Sequence, residues 1–305
     1  MPDNRLRAGV ELGGTKTIVV LARGTQIVRE AVIRTGLPET CLTEASAVLR
    51  QWQREAEFDA LGIASFGPLE LDPSAPAYGH MLDTPKQGWA GAEILGMLSA
   101  GLDCPVVIDT DVNGAALAET LWGAGAEVAG ASDCLCYLTI GTGLGAGFVV
   151  NGRPLHGAMH PEAGHLRMRR GPGDDFPGVC PFHGDCIEGL VSGPALAARF
   201  GMPGEQVPDG DPRWAHVADA LAELVSSILL MTSARMVLIG GGVGTTRPAL
   251  RQLVRERVVS ALAGYLPFVT TGTIADIIRE PALGTRAGPL GAIALAAMSR
   301  RSRES

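Results

Sequence analysis

The sequence predicts an α/β protein of two domains, and three observations carry that expectation. Its 305 residues are enough for two domains of ordinary size, and 46% hydrophobic against 19% charged residues allow a sizeable buried core. Two segments, residues 8–21 and 136–150, share one grammar of strand, Gly/Thr turn, strand. They lie nearly half a chain apart and point to a duplicated α/β unit; the β-branched residues on both sides of each turn argue against helix there. Around them strand-like and helix-like stretches alternate, which implies α/β layers.

The other elements follow in order. Residues 43–55 read as a helix, and residues 60–65 as a short buried strand ended by Gly67-Pro68. Residues 105–108 form another strand, with a helix over 112–122 after it. Asn151-Gly152 is a hairpin signal. A long helix runs to Met231, with Asp211 as its N-cap and Pro212 in its first turn. A strand over 236–239 ends in Gly240-Gly241-Gly242, and helices cover 248–265 and 289–298. The domain boundary is expected after the 109–113 loop. That makes 1–113 the N-terminal α/β domain, with a helix at about 287–305 packing back on it, and 114–286 the C-terminal α/β domain with a metal loop at 160–188. Residues 169–187 are rich in Gly, Pro and Asp and poor in large apolar side chains, so they form a long irregular loop that needs other support.

Charge and composition exclude some partners. The net charge is −7 and the pI about 5.4, against the clustered Lys and Arg that nucleic acid binding requires. Arg300, Arg301 and Arg303 read as a short solvated end. Residues 1–7 are polar and unlike a signal peptide, and the apolar stretch at 215–231 carries Asp219 and Glu223, so it reads as a core helix rather than a membrane span. A cytoplasmic location with no membrane partner is the expectation. Cys41, Cys104, Cys134 and Cys136 lie in or beside apolar runs and read as buried thiols. Cys180 and Cys186 suit a metal better than a disulfide in a chain with no export signal.

Three constellations carry chemistry. Gly13, Gly14, Thr15, Lys16 and Gly141, Thr142, Gly143, Gly145 form turns that present backbone N–H groups and hydroxyls, which suits phosphate. Either turn alone also reads as a plain tight hairpin; two together, with Gly240-Gly241-Gly242 after a strand, favour a nucleotide. No G-x-x-x-x-G-K-[ST] motif is present, and the Gly141-x-Gly143-x-x-Ala146 run opens a strand where a dinucleotide fingerprint must open a helix. Second, the strand at 105–108 runs into Asp109-Thr110-Asp111-Val112-Asn113. Acidic residues past a strand's carboxyl end sit where α/β proteins bind ligands, and a hydroxyl attacking ATP needs a carboxylate to take its proton. Thr110 or Asp111 equally serves as a helix cap. Third, Cys180-Pro-Phe-His183-Gly-Asp-Cys186, with His165 upstream, offers the N and S ligands of a tetrahedral structural zinc, which would supply the support the loop lacks. His160 and His156 compete with His165 for the fourth place.

With Glu11-Leu-Gly-Gly-Thr-Lys-Thr, Thr110-Asp-Val-Asn, Ile140-Gly-Thr-Gly-Leu-Gly, His160-Pro-Glu-Ala-Gly-His165 and the Cys/His loop in this order, the sequence resembles the ROK family of sugar kinases from about Ala8 to Ala297. It is most similar to the bacterial ROK-type fructokinases, which share Ser65-Phe-Gly-Pro, Tyr78-Gly, Thr84-Pro-Lys-Gln-Gly-Trp89 and the Cys-Pro-x-His-Gly-Asp-Cys loop. The resemblance implies a two-domain actin-like, hexokinase-like (ribonuclease H-like) ATPase fold with an interdomain cleft. It implies Asp111 as general base, and Glu162, His165, Glu188, Asn113 and Gly67 as sugar contacts. It implies nucleotide contacts at Gly13, Gly14, Thr15, Lys16, Thr142, Gly143, Gly240, Gly241 and Gly242, and zinc ligands His165, Cys180, His183 and Cys186. ATP with Mg²⁺ is the implied phosphoryl donor and a homodimer the implied assembly. Two departures stand out: Glu11 where most of the family has Asp, and Thr110 where ROK glucokinases have Asn, which fits a sugar other than glucose. The expected reaction is ATP-dependent phosphorylation of D-fructose, with glucose, mannose or an N-acyl hexosamine as alternatives. A sugar-responsive regulator would need a helix-turn-helix ahead of the first turn, and an actin- or chaperone-type ATPase would lack the Cys/His loop.

Overall fold

The structure, a computed structural model, describes residues 4–128 and 133–299. The basic tail at Arg300, Arg301 and Arg303 lies outside the described residues. Two compact units emerge, one of residues 1–122, 153–161 and 285–305, the other of residues 123–152 and 162–284.

The first unit is built on a five-stranded sheet of β1 (Leu6–Leu12), β2 (Lys16–Arg23), β3 (Gln26–Arg34), β4 (Leu61–Ser65) and β5 (Val106–Thr110), in the order β3-β2-β1-β4-β5. The β1–β2–β3 meander is antiparallel, while β4 and β5 add in parallel. Strand residues alternate between faces, so Ala8, Val10 and Leu12 point into a core shared with Leu42, Ala45 and Leu49 of α1 (Pro38–Glu55), whereas Gly9 faces the other way. There it meets Ala292 and Ile293 of α10 (Ala287–Met298). Small residues allow this second layer to sit very close. A Cβ on Gly62 would overlap the backbone carbonyl of Ala292, and Gly114 of α3 (Asp111–Trp122) lies against Gly291. This contact is why the first unit runs through α3 to Trp122, past the boundary expected at 113, and takes in α10 from the far end of the chain.

The second unit repeats the plan. Its central strand β6 (Cys134–Ile140) pairs antiparallel with β7 (Leu144–Val150) and parallel with β9 (Met236–Gly240), which pairs parallel with β10 (Ile278–Arg279). Within this unit the strand order is β10-β9-β6-β7. Asn151 and Gly152, at φ 51° and 73°, form the turn that the sequence signalled. Helix α6 (Trp214–Thr232) buries Val217, Leu221, Leu224 and Ile228 in the core beside Leu250, Val254 and Val258 of α8 (Pro248–Leu262). Among the described residues α6 is the one helix long and apolar enough to cross a membrane, and most of its apolar side chains lie on that core face, with Leu230 and Met231 exposed at its end.

Several boundaries differ from expectation, each for a local reason. Helix α1 begins at Pro38, because proline's fixed φ suits a first turn. Helix α6 begins at Trp214 with Arg213 as its N-cap rather than Asp211; the Asp211 carboxylate instead closes a turn ahead of it, accepting from Arg213 N–H at 2.9 Å. Helix α8 stops at Leu262, where Ala263 and Gly264 take positive φ. Helix α10 starts at Ala287, two residues ahead of the Pro289 at which the helical pattern begins and in line with the start at about 287 expected for the packing helix. Strand β3 was not foreseen: it is an edge strand with six exposed residues among nine, so its apolar alternation is weak.

Gly62→Ala should therefore cost about 3 kcal/mol or more, since the clash is with backbone that cannot swing away. Gly36→Ala, where a Cβ meets nothing within 4 Å, should change stability by no more than about 0.5 kcal/mol. Urea unfolding of both variants checks this; equal effects would mean that α10 is not seated on β4.

Candidate active site

In the first unit, the carboxyl end of β5 feeds straight into α3. Thr110 is the cap, its Oγ1 accepting from Asn113 N–H at 3.2 Å. That leaves Asp111 as the first helical residue, its Oδ1 accepting from the adjacent Val112 N–H at 2.9 Å, with its own backbone N–H as a second donor to the carboxylate. Burial pushes the Asp111 carboxyl up to about 6, with the Val112 N–H working against it. The support beneath is a fully engaged carboxylate. Asp109, 2% exposed, accepts from Thr110 N–H at 2.7 Å and Asn113 Nδ2 at 2.8 Å through one oxygen, and its other oxygen pairs with His156 Nε2 at 3.0 Å. Asn113, which the resemblance implied as a sugar contact, is fully buried and donates its Nδ2 to Asp109, so it braces the turn. The Asp109 interaction in turn raises the His156 imidazole above its ordinary value. A cavity of about 680 Å³ borders this pair, lined in part by Tyr78, Val107, Asp109, His156 and Met298.

Glu11 is the penultimate residue of the same sheet's central strand, just before the first Gly/Thr turn. Burial, then the charge of Asp111, push its carboxyl up to about 7, with Lys16 working against them. A Cβ on Gly288, in the first turn of α10, would overlap the Glu11 carboxylate. Two carboxyl groups that repel each other ionise in sequence, and here Asp111 is the one charged first as pH rises. The turn itself is closed by Gly13 N–H donating to Lys16 C=O at 3.1 Å, with Gly14, Thr15 and Lys16 exposed. Gly67 abuts His160, whose Nε2 accepts from Leu69 N–H at 3.0 Å.

In the second unit, the turn between β6 and β7 is closed by Gly141 N–H donating to Gly143 C=O at 2.9 Å, and Thr142 is exposed. Glu188, from the first turn of α4 (Ile187–Val191), reaches this turn: its Oε2 accepts from Leu144 N–H at 3.1 Å, and a Cβ on Gly143 would lie 2.8 Å from it. Gly241, at φ 75°, opens the short helix α7 (Gly241–Thr246) against the backbone of Ile140, so Gly240, Gly241 and Gly242 adjoin the same turn. Glu162 is exposed and directly precedes the single 3₁₀ turn Ala163–His165.

That turn delivers His165 to the Cys/His loop. The Nδ1 atoms of His165 and His183 and the Sγ atoms of Cys180 and Cys186 all lie within 4.8 Å of one another. The N···N separation is 3.3 Å and the three measured S···N separations are 3.7, 3.8 and 3.7 Å. Tetrahedral zinc with ordinary bond lengths requires edges of about 3.3 Å between nitrogens and about 3.6 Å between nitrogen and sulfur, so the donor set fits the ion. Of the three histidines that competed for the fourth place, His165 is the one grouped with the cysteines; His156 and His160 are engaged in the first unit. The loop has a second support that its sequence did not announce. Burial works to raise the Asp174 carboxyl, but Arg199, at 2.7 Å, and Arg170 outweigh it and hold it down to about 2.

Two features escaped the sequence reading. The His156–Asp109 pair joins residues far apart in the chain, with no local signal. Lys86 donates its Nζ to Gly14 C=O at 2.6 Å, placing an ammonium on the first Gly/Thr turn; its signal was that Lys16 and Lys86 are the only lysines in the sequence.

Comparison with known proteins places these features. The profile described as "ROK family" matches residues 7–299. A putative fructokinase of Bacillus subtilis (strain 168) is 37% identical over 291 residues, spanning 94% of each chain. A fructokinase of Pediococcus pentosaceus is 34% identical over 291 residues, 95% of this chain and 97% of its own. The crystal structure of the ROK hexokinase from Thermus thermophilus matches with a TM-score of 0.76 at 26% identity, covering 98% of this chain and all of its own. The fold is accordingly the actin-like two-domain fold of this group.

The raised Asp111 carboxyl makes a stability prediction that needs no assay of function. With its folded pKa at about 6 and an ordinary value of 3.8, the folded state binds the proton more tightly, so stability from this group falls as pH rises from about 4 to about 6. Asp111→Asn lacks that loss, and its stability relative to the parent should improve by up to about 3 kcal/mol across the window. Urea unfolding at pH 4, 5, 6 and 7 checks this; parallel curves for the two proteins would contradict it.

Proposed function

The chain belongs to the ROK family and is a sugar kinase, and from that premise we propose that it transfers the terminal phosphoryl group of ATP to the 6-hydroxyl of D-fructose, with Asp111 as the general base. The observation that carries the reading is the Asp111 carboxyl: first residue of the helix that Thr110 caps, met by the backbone N–H groups of Val112 and of Asp111 itself, and still raised by burial to about 6. A base must be ionised at the working pH yet keep some appetite for a proton, and that value meets both needs. Fructose as the acceptor draws on the fructokinase names of the relatives at 34–37% identity over nearly the whole chain. Thr110 in place of the Asn of ROK glucokinases agrees with it. Glucose, mannose and N-acyl hexosamines are the competing acceptors.

In this reading Glu162, His165 and Glu188 hold the sugar hydroxyls, and Gly67 is the further sugar contact that the resemblance implies. Glu188 is already held at the Thr142–Gly143 turn by Leu144 N–H, so the sugar-binding and nucleotide-binding segments of that unit are tied by one carboxylate. The turns at Gly13–Lys16, Thr142–Gly143 and Gly240–Gly242 receive the nucleotide with backbone N–H groups and hydroxyls. Mg²⁺ travels with ATP and neutralises charge on the transferring group. A zinc ion on His165, Cys180, His183 and Cys186 holds the loop. Both histidines would bind it through Nδ1, which leaves the Nε2 edge of His165 to meet a sugar hydroxyl. Asp111 accepts the 6-hydroxyl proton as the oxygen attacks the terminal phosphorus, and ADP leaves. A cytoplasmic homodimer is the setting that accompanies this proposal.

The test is ADP release with ATP and Mg²⁺ against fructose, mannose, glucose and N-acetylmannosamine, with a sugar-free control. Strong preference for fructose is the expected result; preference for another hexose moves the substrate, and equal release without sugar rejects the reaction. Asp111→Asn should lower kcat by about a hundredfold or more, with sugar affinity changed by less than about threefold. For the metal, elemental analysis of purified protein should find about one zinc per chain, and Cys186→Ser should lower zinc content and thermal midpoint together. Full thermal stability without zinc would refute the structural role of the site.

A further inference from the structure

The chain carries 25 Lys and Arg residues, yet only Lys16 and Lys86 are lysines. They are 70 positions apart in sequence and converge on one turn. Lys16 belongs to it, and Lys86 donates its ammonium to Gly14 C=O at 2.6 Å. Everywhere else the chain uses arginine, whose flat fork pairs with carboxylates and carbonyls, as at Arg199, Arg213, Arg247 and Arg255. Lysine differs in being a compact charge with three donors that rotate freely, the form suited to a phosphate whose oxygens shift during reaction.

A plain structural role for Lys86 would be to pin its loop. The loop is pinned already. Trp89, three residues on, is fully buried, donates its indole N–H to Gly36 C=O at 2.9 Å, and packs edge-on to Phe66 with centroids 4.9 Å apart. Lys86 lies beside that ring, 5.7 Å from its centroid, with its ammonium at the exposed turn. One of its three donors serves Gly14, and the others are left for a partner. The surroundings call for cations. Glu11 and Asp111 stand in the same unit, Glu11 senses both Asp111 and Lys16, and the whole chain is at −7. A polyanion approaching this turn meets repulsion that Lys16 alone would have to offset.

We propose that Lys86 is a second phosphate-binding lysine, which contacts the terminal phosphate of the nucleoside triphosphate at the Gly13–Lys16 turn. It rests on the kinase reading for the identity of the ligand. Its own content is that the loop carrying Thr84-Pro-Lys86 contributes to the nucleotide site, and that the contact is made to the end of the triphosphate rather than to the nucleoside. Lys86 would then steady the group being transferred as its charge redistributes.

Having only two lysines makes the test direct. Side-chain NMR of lysine-labelled protein gives two ammonium-bearing signals, assigned with Lys86→Arg, and titrations with ATP, ADP and AMP follow each one. Both signals should move with ATP, and that of Lys86 should move little with AMP. In parallel, Lys86→Met should weaken ATP binding by about tenfold or more and AMP binding by less than about twofold, as expected for one lost charge-assisted hydrogen bond. Its urea midpoint and sugar affinity should match the parent, and Lys86→Arg should recover part of the loss. An unmoved Lys86 signal under saturating ATP overturns the proposal, as does equal weakening of ATP and AMP. Should Lys86→Met fold poorly, the NMR titration of the parent decides alone. A parent that binds no ATP overturns the kinase reading as well; a parent that binds ATP with Lys86 silent overturns this inference only.

Discussion

The buried carboxylate of Asp109 is the constraint on which the first unit's chemistry depends. An ionisable group that is 2% exposed is costly unless every lone pair is used, and here one oxygen takes two N–H donors and the other takes an imidazole. Those donors are Thr110, Asn113 and His156. Holding the first two fixes the joint between β5 and α3, so Asp111, between them in sequence, has little freedom of its own. Helix α3 is in turn seated on α10 through Gly114 and Gly291, and α10 lies on β4 through Gly62. The position of one carboxylate thus rests on a stack of contacts in which small residues let backbones meet.

Around that carboxylate the electrostatics are asymmetric in a useful way. Asp111 and Glu11 repel each other, and burial disfavours charge on both, so the site holds negative charge reluctantly. A reluctant carboxylate accepts a proton readily, which is what a base needs. The same reluctance is hostile to a polyphosphate, and the two lysines at the neighbouring turn are the counterweight. The second unit is arranged on a different principle. Its sugar-facing candidates sit on a stretch with little core, held by a Cys/His cluster of tetrahedral dimensions and by the Asp174–Arg199 pair.

Much of this was legible in the sequence, and the exceptions have physical causes. Both hairpins were readable because β-branched runs on either side of Gly and Thr leave few alternatives, and the two sheets do share one strand plan. The Cys/His cluster was readable because its ligands lie close in sequence. Strand β3 was hidden by the polar residues of an edge. The last two residues of β5 were hidden because Asp109 and Thr110 look like loop, although they pair with Ala64 and Ser65 in the sheet. That Asn113 donates to Asp109 was not readable from spacing, because which way a polar side chain in a turn points is settled by packing. His156 and Lys86 act across long sequence separations, where spacing carries no information and residue usage alone offers a hint.

The central claim is that Asp111, perturbed by burial, is the base. The most direct measurement is kcat/KM for the acceptor sugar between pH 5 and 8 at saturating ATP and Mg²⁺. The account predicts a rise of about tenfold per pH unit at the acid end that levels off near pH 6, the value to which burial raises this carboxyl. A rate that is flat across the whole range, or one that falls as pH rises through 6, would contradict it.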